Sequence, residues 1–247
     1  MVVHESCSVA TPNGPLPVEI FRSDSPAALP AVIVIHDIFG MSTDVRTQAT
    51  WLANNGYLAV VPDFFAWNRR MVCIQSAMRD LQRNDGRLFD GMEAVRQMVM
   101  RRPDCTGRIG VIGFCFGGSF ALLMAPRDGY HAVNANYGML PRDYASYFTG
   151  SCPILALYGK RDRSLRGTAA KLDAALDKTG VPHTVVEYPA AGHGFLNDHD
   201  PAEHPLIFAV IGRLLPAGYH APSAEDARPK ILAFLHDCLD SPTSSSS

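Results

Sequence analysis

The stretch Gly113-Phe114-Cys115-Phe116-Gly117-Gly118, GFCFGG, decides how this chain reads. It ends the apolar run RIGVIGF, which predicts a strand, and precedes SFALLMA, which predicts a helix. Gly-x-nucleophile-x-Gly at a strand-to-helix junction is the pattern of a nucleophile elbow. Such a turn pushes its central residue into a strained backbone conformation, and side chains at the flanking positions would clash. In return the sulfur is exposed at the carboxyl edge of a sheet, at a helix N-terminus whose positive dipole end favours a thiolate. The competing reading is a buried structural cysteine beside packing glycines, because free cysteines are among the most buried residues. The strand before and the helix after favour the elbow.

An elbow requires an acid and then a histidine further along the chain, each just beyond the carboxyl end of a strand. PILALYGKRDRS supplies the acid: its strand ends at Gly159, and Asp162 follows in the loop. HTVVEYPAAGHGF supplies the base: its strand ends near Pro189, and His193 lies in a glycine-flanked loop. Alone, Asp162 reads equally well as the cap of the next helix, and His193 as a solvated surface residue. Their joint order after Cys115 is what selects the catalytic reading. In it, His193 takes the proton of Cys115, Asp162 orients the imidazole and stabilises its cation, and Cys115 attacks a carbonyl carbon.

Outward from these loops, strand and helix signals alternate. LPVEIFR (16–22) alternates apolar and polar residues, as a half-exposed strand does, whereas AVIVIH (31–36) is continuously apolar and β-branched, as a buried parallel strand is. TDVRTQATWLANNGY (43–57) predicts a helix ended near Gly56. LAVVPDFF, AVNANYG, PILALYG and HTVVEYP predict further strands. Leu81, Leu88, Met92, Val95 and Val99 predict a helix over Asp80–Arg102. RGTAAKLDAALDKTG predicts one ending at Gly180, and AEDARPKILAFLHDCL a closing helix. Right-handed βαβ crossovers follow, giving an α/β fold whose mostly parallel, twisted sheet has about eight strands and helices on both faces. A single domain over residues 1–240 and a low-complexity, disordered tail over 241–247 are expected.

Composition excludes several classes of function. The 247 residues are 47% hydrophobic, enough for one large core. With 22 basic and 24 acidic residues and no basic face, nucleic acid is not an expected partner. MVVHESCSVATPNG has no positive segment followed by an apolar one, so no signal peptide is expected, and no run approaches the ~18 apolar residues of a membrane span. Six scattered cysteines without a CxxC pair argue against a disulfide framework or metal cage and predict a reduced, cytoplasmic chain.

Beyond the elbow, IHDIFG (35–40), PDFF (62–65), LYGKRD (157–162) and AGHGF (191–195) complete an ordered set of motifs. Together with GFCFGG the chain resembles the dienelactone hydrolase family of α/β-hydrolase-fold enzymes, over roughly residues 15–240. The resemblance implies a cysteine hydrolase that cleaves a lactone or small ester through an acyl-enzyme thioester, with no metal and no organic cofactor. It implies an oxyanion hole from the backbone amides of Ile38 and Phe116. It also implies that Asp37, where family members commonly carry glutamate, contacts the nucleophile's thiol. Aspartate is one methylene shorter, and the other reading of Asp37 is that it fixes its loop by bonding nearby amides. The family's substrate carboxylate is clamped by arginines. Asn197 stands where one could be expected, four residues after His193, and Arg69 and Arg70 are candidates for another. A more neutral ester or lactone is therefore an equal candidate.

Phe39, Phe65, Trp67, Phe116 and Phe195 could line an acyl pocket or belong to the core. NDHDPAEH (197–204) mixes hard and soft ligands without a zinc spacing, which predicts a solvated loop. The apolar segment 205–222 is expected as a cap, an oligomer contact or a core helix. The expected partner is a small-molecule ester or lactone, and the chain is expected to be a monomer or small homo-oligomer. A ligand-binding protein with a dead site, a thioesterase on the same triad and a redox sensor at Cys115 are the alternatives.

Overall fold

A computed structural model describes residues 1–67, 70–203 and 217–240, the side chains of 70–75 excepted. Its sheet has eight strands: β1 (Val2–Thr11), β2 (Gly14–Ser23), β3 (Leu29–Ile35), β4 (Leu58–Pro62), β5 (Cys105–Phe114), β6 (Ala132–Asn136), β7 (Ile154–Gly159) and β8 (His183–Tyr188). Their order across the sheet is β1-β2-β4-β3-β5-β6-β7-β8. β2 runs antiparallel to both of its neighbours, and every pairing from β4 to β8 is parallel.

The central strands β3 and β4 and the second half of β5 are buried on both faces, which is why they read as apolar runs, while β6 is equally buried but carries Asn134 and Asn136. On one face pack α2 (Arg70–Arg83), α3 (Arg87–Met100), α4 (Phe116–Met124) and α6 (Thr168–Thr179). On the other lie α1 (Thr43–Asn54) and α7 (Ala221–Leu239). The short α5 (Tyr144–Tyr147) packs against α6. The layered, mostly parallel architecture is the one expected. No described helix is long and apolar enough to cross a membrane.

Two elements differ from the sequence expectation. β1 forms a hairpin with β2 through Thr11–Gly14, with Gly14 at φ 105°. Most of β1 is exposed, so it lacks the alternation that betrays a half-buried strand. The helix expected over 80–102 is two helices. The apolar spacing continues across the break, but Asn84 (φ 59°) and Gly86 (φ 116°) adopt left-handed backbone, which ends α2 and restarts the chain as α3. The segment 204–216 and the tail 241–247 lie outside the described residues.

Candidate active site

β5 runs straight into α4 with only Cys115 between them. Cys115 has φ 55° and ψ −113°, a conformation L-residues rarely adopt, at a cost of about 1–3 kcal/mol. Its surroundings hold it there. Its amide donates to the Asn136 carbonyl at 3.0 Å, and its carbonyl accepts from the Ser119 amide at 3.0 Å. Ser119 Oγ in turn accepts from the Met139 amide at 2.8 Å.

The glycines are a requirement of main-chain crowding. A Cβ on Gly113 would sit 2.0 Å from the Gly117 carbonyl oxygen, and one on Gly118 would sit 2.3 Å from that of Asn136. At Gly117 the intruder would meet the carbonyls of Ile35 at 2.2 Å and His36 at 2.7 Å. That close approach brings the end of β3 against the start of α4.

The sheet register then places the loops. Ile35 of β3 pairs with Gly113 of β5, so residues 37 and 115 each lie two positions beyond one rung. In the turn that follows, Gly40 N–H donates to the Asp37 carbonyl at 3.2 Å. The buried ring of His36 joins this turn to the loop after β4. Its Nε2 accepts from the Phe64 amide at 3.2 Å, which leaves Nδ1 to donate to the Asp37 carbonyl at 2.7 Å. The amides of Ile38 and Phe116 have no backbone acceptor among the described residues. For Phe116 this follows from its place as the first residue of α4, since the first N–H groups of a helix have no partner within it.

Asp162 and His193 arrive from β7 and β8, which are adjacent. The two loops touch: a Cβ on Gly159 would lie 2.4 Å from the Gly192 carbonyl oxygen, and Arg161 N–H donates to the Ala191 carbonyl at 2.9 Å. His193 Nδ1 stands 2.6 Å from Asp162 Oδ2. The other carboxylate oxygen accepts from Ser164 N–H at 2.9 Å and Ser164 Oγ at 2.5 Å. With Nδ1 committed to Asp162, the imidazole's other nitrogen is left for its hydrogen bond with the Cys115 thiol. The Tyr137 ring meets the imidazole edge-on at 5.2 Å.

Electrostatics follow from these contacts. Burial works against the His193 cation, but the bonds to Asp162 and Cys115 and their charges outweigh it and raise its pKa to about 10. Burial would raise the Asp162 carboxyl, yet hydrogen bonds from His193 and Ser164 and the nearby imidazolium leave it below the ordinary carboxylate range. Asp162 and His193 thus meet in one hydrogen bond at the carboxyl edge of the sheet, with Cys115 beside the imidazole.

Asp37 is engaged on both oxygens. Oδ1 accepts from the Phe39 amide at 2.8 Å, and Oδ2 stands 2.8 Å from His199 Nε2. The His199 ring also lies edge-on to that of Phe39, 4.8 Å between centroids. The loop 197–203 is solvated along Asp198 and Asp200–Glu203, as its composition predicts, but Asn197 and His199 turn inward from it. Asn197 is buried, bonded to Asp44 and to the Tyr137 hydroxyl, so it turns inward and presents no clamp to a ligand. Glu203 accepts from Thr43 at the start of α1.

The aromatic candidates divide. Phe39 is half-buried, and Phe65 packs near Phe116 with its ring edge-on to His36. Trp67 points to α3, tilted against Phe64 and under Arg87, and a Cβ on Gly91 would meet its ring at 3.2 Å. Phe195 is 0% exposed between Tyr137 and Tyr188, a core ring with no surface for a ligand. Arg69 and the side chain of Arg70 lie outside the described residues. His199 is the residue at this site that sequence reasoning missed.

A strained thiol at a strand-to-helix turn, in a doubly covered parallel sheet, defines an α/β-hydrolase fold, and comparison with known proteins agrees. A model of the dienelactone hydrolase family matches residues 16–239, and the chain belongs to that family of hydrolases. The carboxymethylenebutenolidase of Rhodococcus opacus is 29% identical over 195 residues, covering 72% of this chain and 75% of its own. Among solved structures, a dienelactone hydrolase-like promiscuous phosphotriesterase from metagenomic libraries superposes with a TM-score of 0.79 at 18% identity, covering 96% of this chain and 99% of its own. A structure from a study of two esterases of Rhizomucor miehei gives 0.67 at 14% identity, covering 96% and 84%. At those identities the structural likeness speaks to the fold alone.

Proposed function

We propose that Cys115, His193 and Asp162 form a catalytic triad that hydrolyses a small carboxylic ester or lactone through an acyl-thioester. The observation that carries this reading is the placement of His193 between the Asp162 carboxylate, at 2.6 Å, and the Cys115 thiol on its strained turn. In the first half-reaction the Cys115 thiolate attacks the substrate's carbonyl carbon. The amides of Ile38 and Phe116 receive the developing oxyanion, and each such donor is worth about 3 kcal/mol. The carbon–oxygen bond to the alkoxide breaks, and the imidazolium of His193 gives that oxygen its proton. In the second half-reaction a water, deprotonated by His193, attacks the thioester, releasing the acid and restoring the thiol. The balance is ester plus water to acid plus alcohol. With a lactone, acid and alcohol remain on one molecule.

The relatives' names make carboxymethylenebutenolide lactones the first natural candidates to try. Asn197 lies buried where a carboxylate clamp was to be sought, which supports neutral esters and lactones as equal candidates. The single domain is proposed to carry the whole reaction without a metal or cofactor.

Release of 4-nitrophenol from 4-nitrophenyl acetate tests the reading. Cys115→Ala is expected to abolish turnover above the uncatalysed rate. Cys115→Ser should retain little of it, because a hydroxyl is far harder to ionise beside an imidazole. Equal rates for wild type and Cys115→Ala would sink the proposal.

A further inference from the structure

The oxyanion amide of Ile38 stands on the turn of residues 36–40, which abuts the elbow so closely that Gly117 has no room for a Cβ. Small displacements of this turn would therefore misplace a donor that works only within hydrogen-bond reach of the developing charge. Two residues on either side of Ile38 are gripped by one side chain. His199 Nε2 reaches Asp37 Oδ2 at 2.8 Å, and the His199 ring packs against that of Phe39. Asp37 closes the clasp by accepting from the Phe39 amide at 2.8 Å.

His199 is delivered to this position by a buried acid of α1. Asp44 accepts from the Asp198 amide at 2.9 Å and from Asn197 Nδ2 at 2.5 Å, which fixes the two residues before it. The Asn197 side chain is tied in turn to the hydroxyl of Tyr137, whose ring packs on His193. The paired side chains of His199 and Asp37 are 17% and 7% exposed, so the bond is shielded from competing water.

We propose that His199 is a positioning residue for hydrolysis: by gripping Asp37 and Phe39 it holds the Ile38 amide in place to receive the oxyanion over Cys115. The proposal rests on the triad reading above. The acids that face His199 among the described residues are Asp37 from the 36–40 turn, Asp44 from α1 and Glu203 from the turn at 201–203; Asp198 and Asp200 flank it in sequence. Burial disfavours its cation, but the bond to Asp37 and the fields of Asp37, Asp44 and Glu203 outweigh that, so the ring stays charged above the usual histidine range. A neutral ring can still donate one N–H to Asp37, so alkaline pH weakens the clasp without opening it.

Two rates on the same protein separate positioning from simple destabilisation. Hydrolysis of 4-nitrophenyl acetate needs the oxyanion donors, whereas alkylation of Cys115 by iodoacetamide needs only a reactive sulfur. His199→Ala is expected to lower kcat at least tenfold, short of the roughly hundredfold or more for complete loss of an oxyanion donor because the amide is misplaced and not removed. KM and the alkylation rate should both stay within about threefold. His199→Gln, whose amide nitrogen can reach the same Asp37 oxygen, should recover most of kcat. In an Asp37→Asn background His199→Ala should add little, since the two residues act through one bond. If His199→Ala fails to fold, the Gln and Asn variants carry the test: His199→Gln should stay within threefold of wild-type kcat while Asp37→Asn loses about tenfold, and an Asp37→Asn kcat within threefold of wild type overturns the proposal. A kcat for His199→Ala within threefold of wild type, or additive losses with Asp37→Asn, overturns the proposal alone. A wild-type Cys115 that neither alkylates nor supports hydrolysis overturns the triad reading, and this proposal with it.

Discussion

His193 meets Asp162 at 2.6 Å, and six residues further on His199 meets Asp37 at 2.8 Å. Both carboxylates follow parallel strands, β7 and β3, and both imidazoles are raised in pKa against the pull of burial. What separates the pairs is the far side of each ring. Beyond His193 is the Cys115 thiol, and beyond His199 are the Phe39 ring and further acids. A histidine–aspartate pair is therefore no catalytic signature by itself. It becomes one when the second nitrogen is aimed at an atom that reacts.

The comparison predicts very unequal losses. His193→Ala should lower kcat/KM by about a thousandfold or more, because it removes both the base of one half-reaction and the acid of the other. Its melting temperature should move by only a few degrees, since the residue sits in a loop with its side chain 30% exposed. Ester hydrolysis and a thermal melt check this, and a loss no larger than that of His199→Ala would erase the distinction between the pairs. Asp162→Asn should follow at about a hundredfold or more, the carboxylate being needed for tautomer and cation. Asp37→Asn should stay nearer tenfold, and a reversal of that order would put the reactive pair at the wrong end of the loop.

The smallest expected effect is on stability. A group whose pKa is raised on folding stabilises the fold fully below its unfolded value, and that contribution is lost as pH climbs through the folded value. For His193 the window runs from 6.5 to about 10. Wild-type melting temperature should thus fall more steeply between pH 7 and 10 than that of His193→Gln. Parallel slopes would show that the imidazole is not held as a cation. Asp162, lowered on folding, acts in the opposite sense and only in acid.

Much of this was legible in the sequence, and the reasons are local. Gly113, Gly117 and Gly118 announce the elbow because a main-chain clash leaves no other residue to choose. Asp162 and His193 are found because each follows a strand whose apolar run has a clear end. β1 escaped because an exposed edge strand has no buried face to pattern it, although the Asn13-Gly14 turn was its available signal. The break at Asn84–Gly86 escaped because apolar spacing spans it, and only the backbone preferences of asparagine and glycine mark it. His199 could not be found at all from pattern. Its partner Asp37 lies near the other end of the chain, and a histidine among acids on a loop looks the same whether it faces water or a carboxylate.

The shared rung of Ile35 and Gly113 has a consequence for anyone reshaping this protein. Cys115 and the turn that faces it are set against each other by ladder hydrogen bonds and a glycine contact, and of the aromatic rings nearby it is Phe39 that the His199 clasp also engages. Phe39 apart, the reacting frame and the pocket walls are in that sense separate modules. Substituting Phe65, which stands outside the His199 clasp, to admit a different acyl group should alter which molecules enter while leaving the chemistry that awaits them intact.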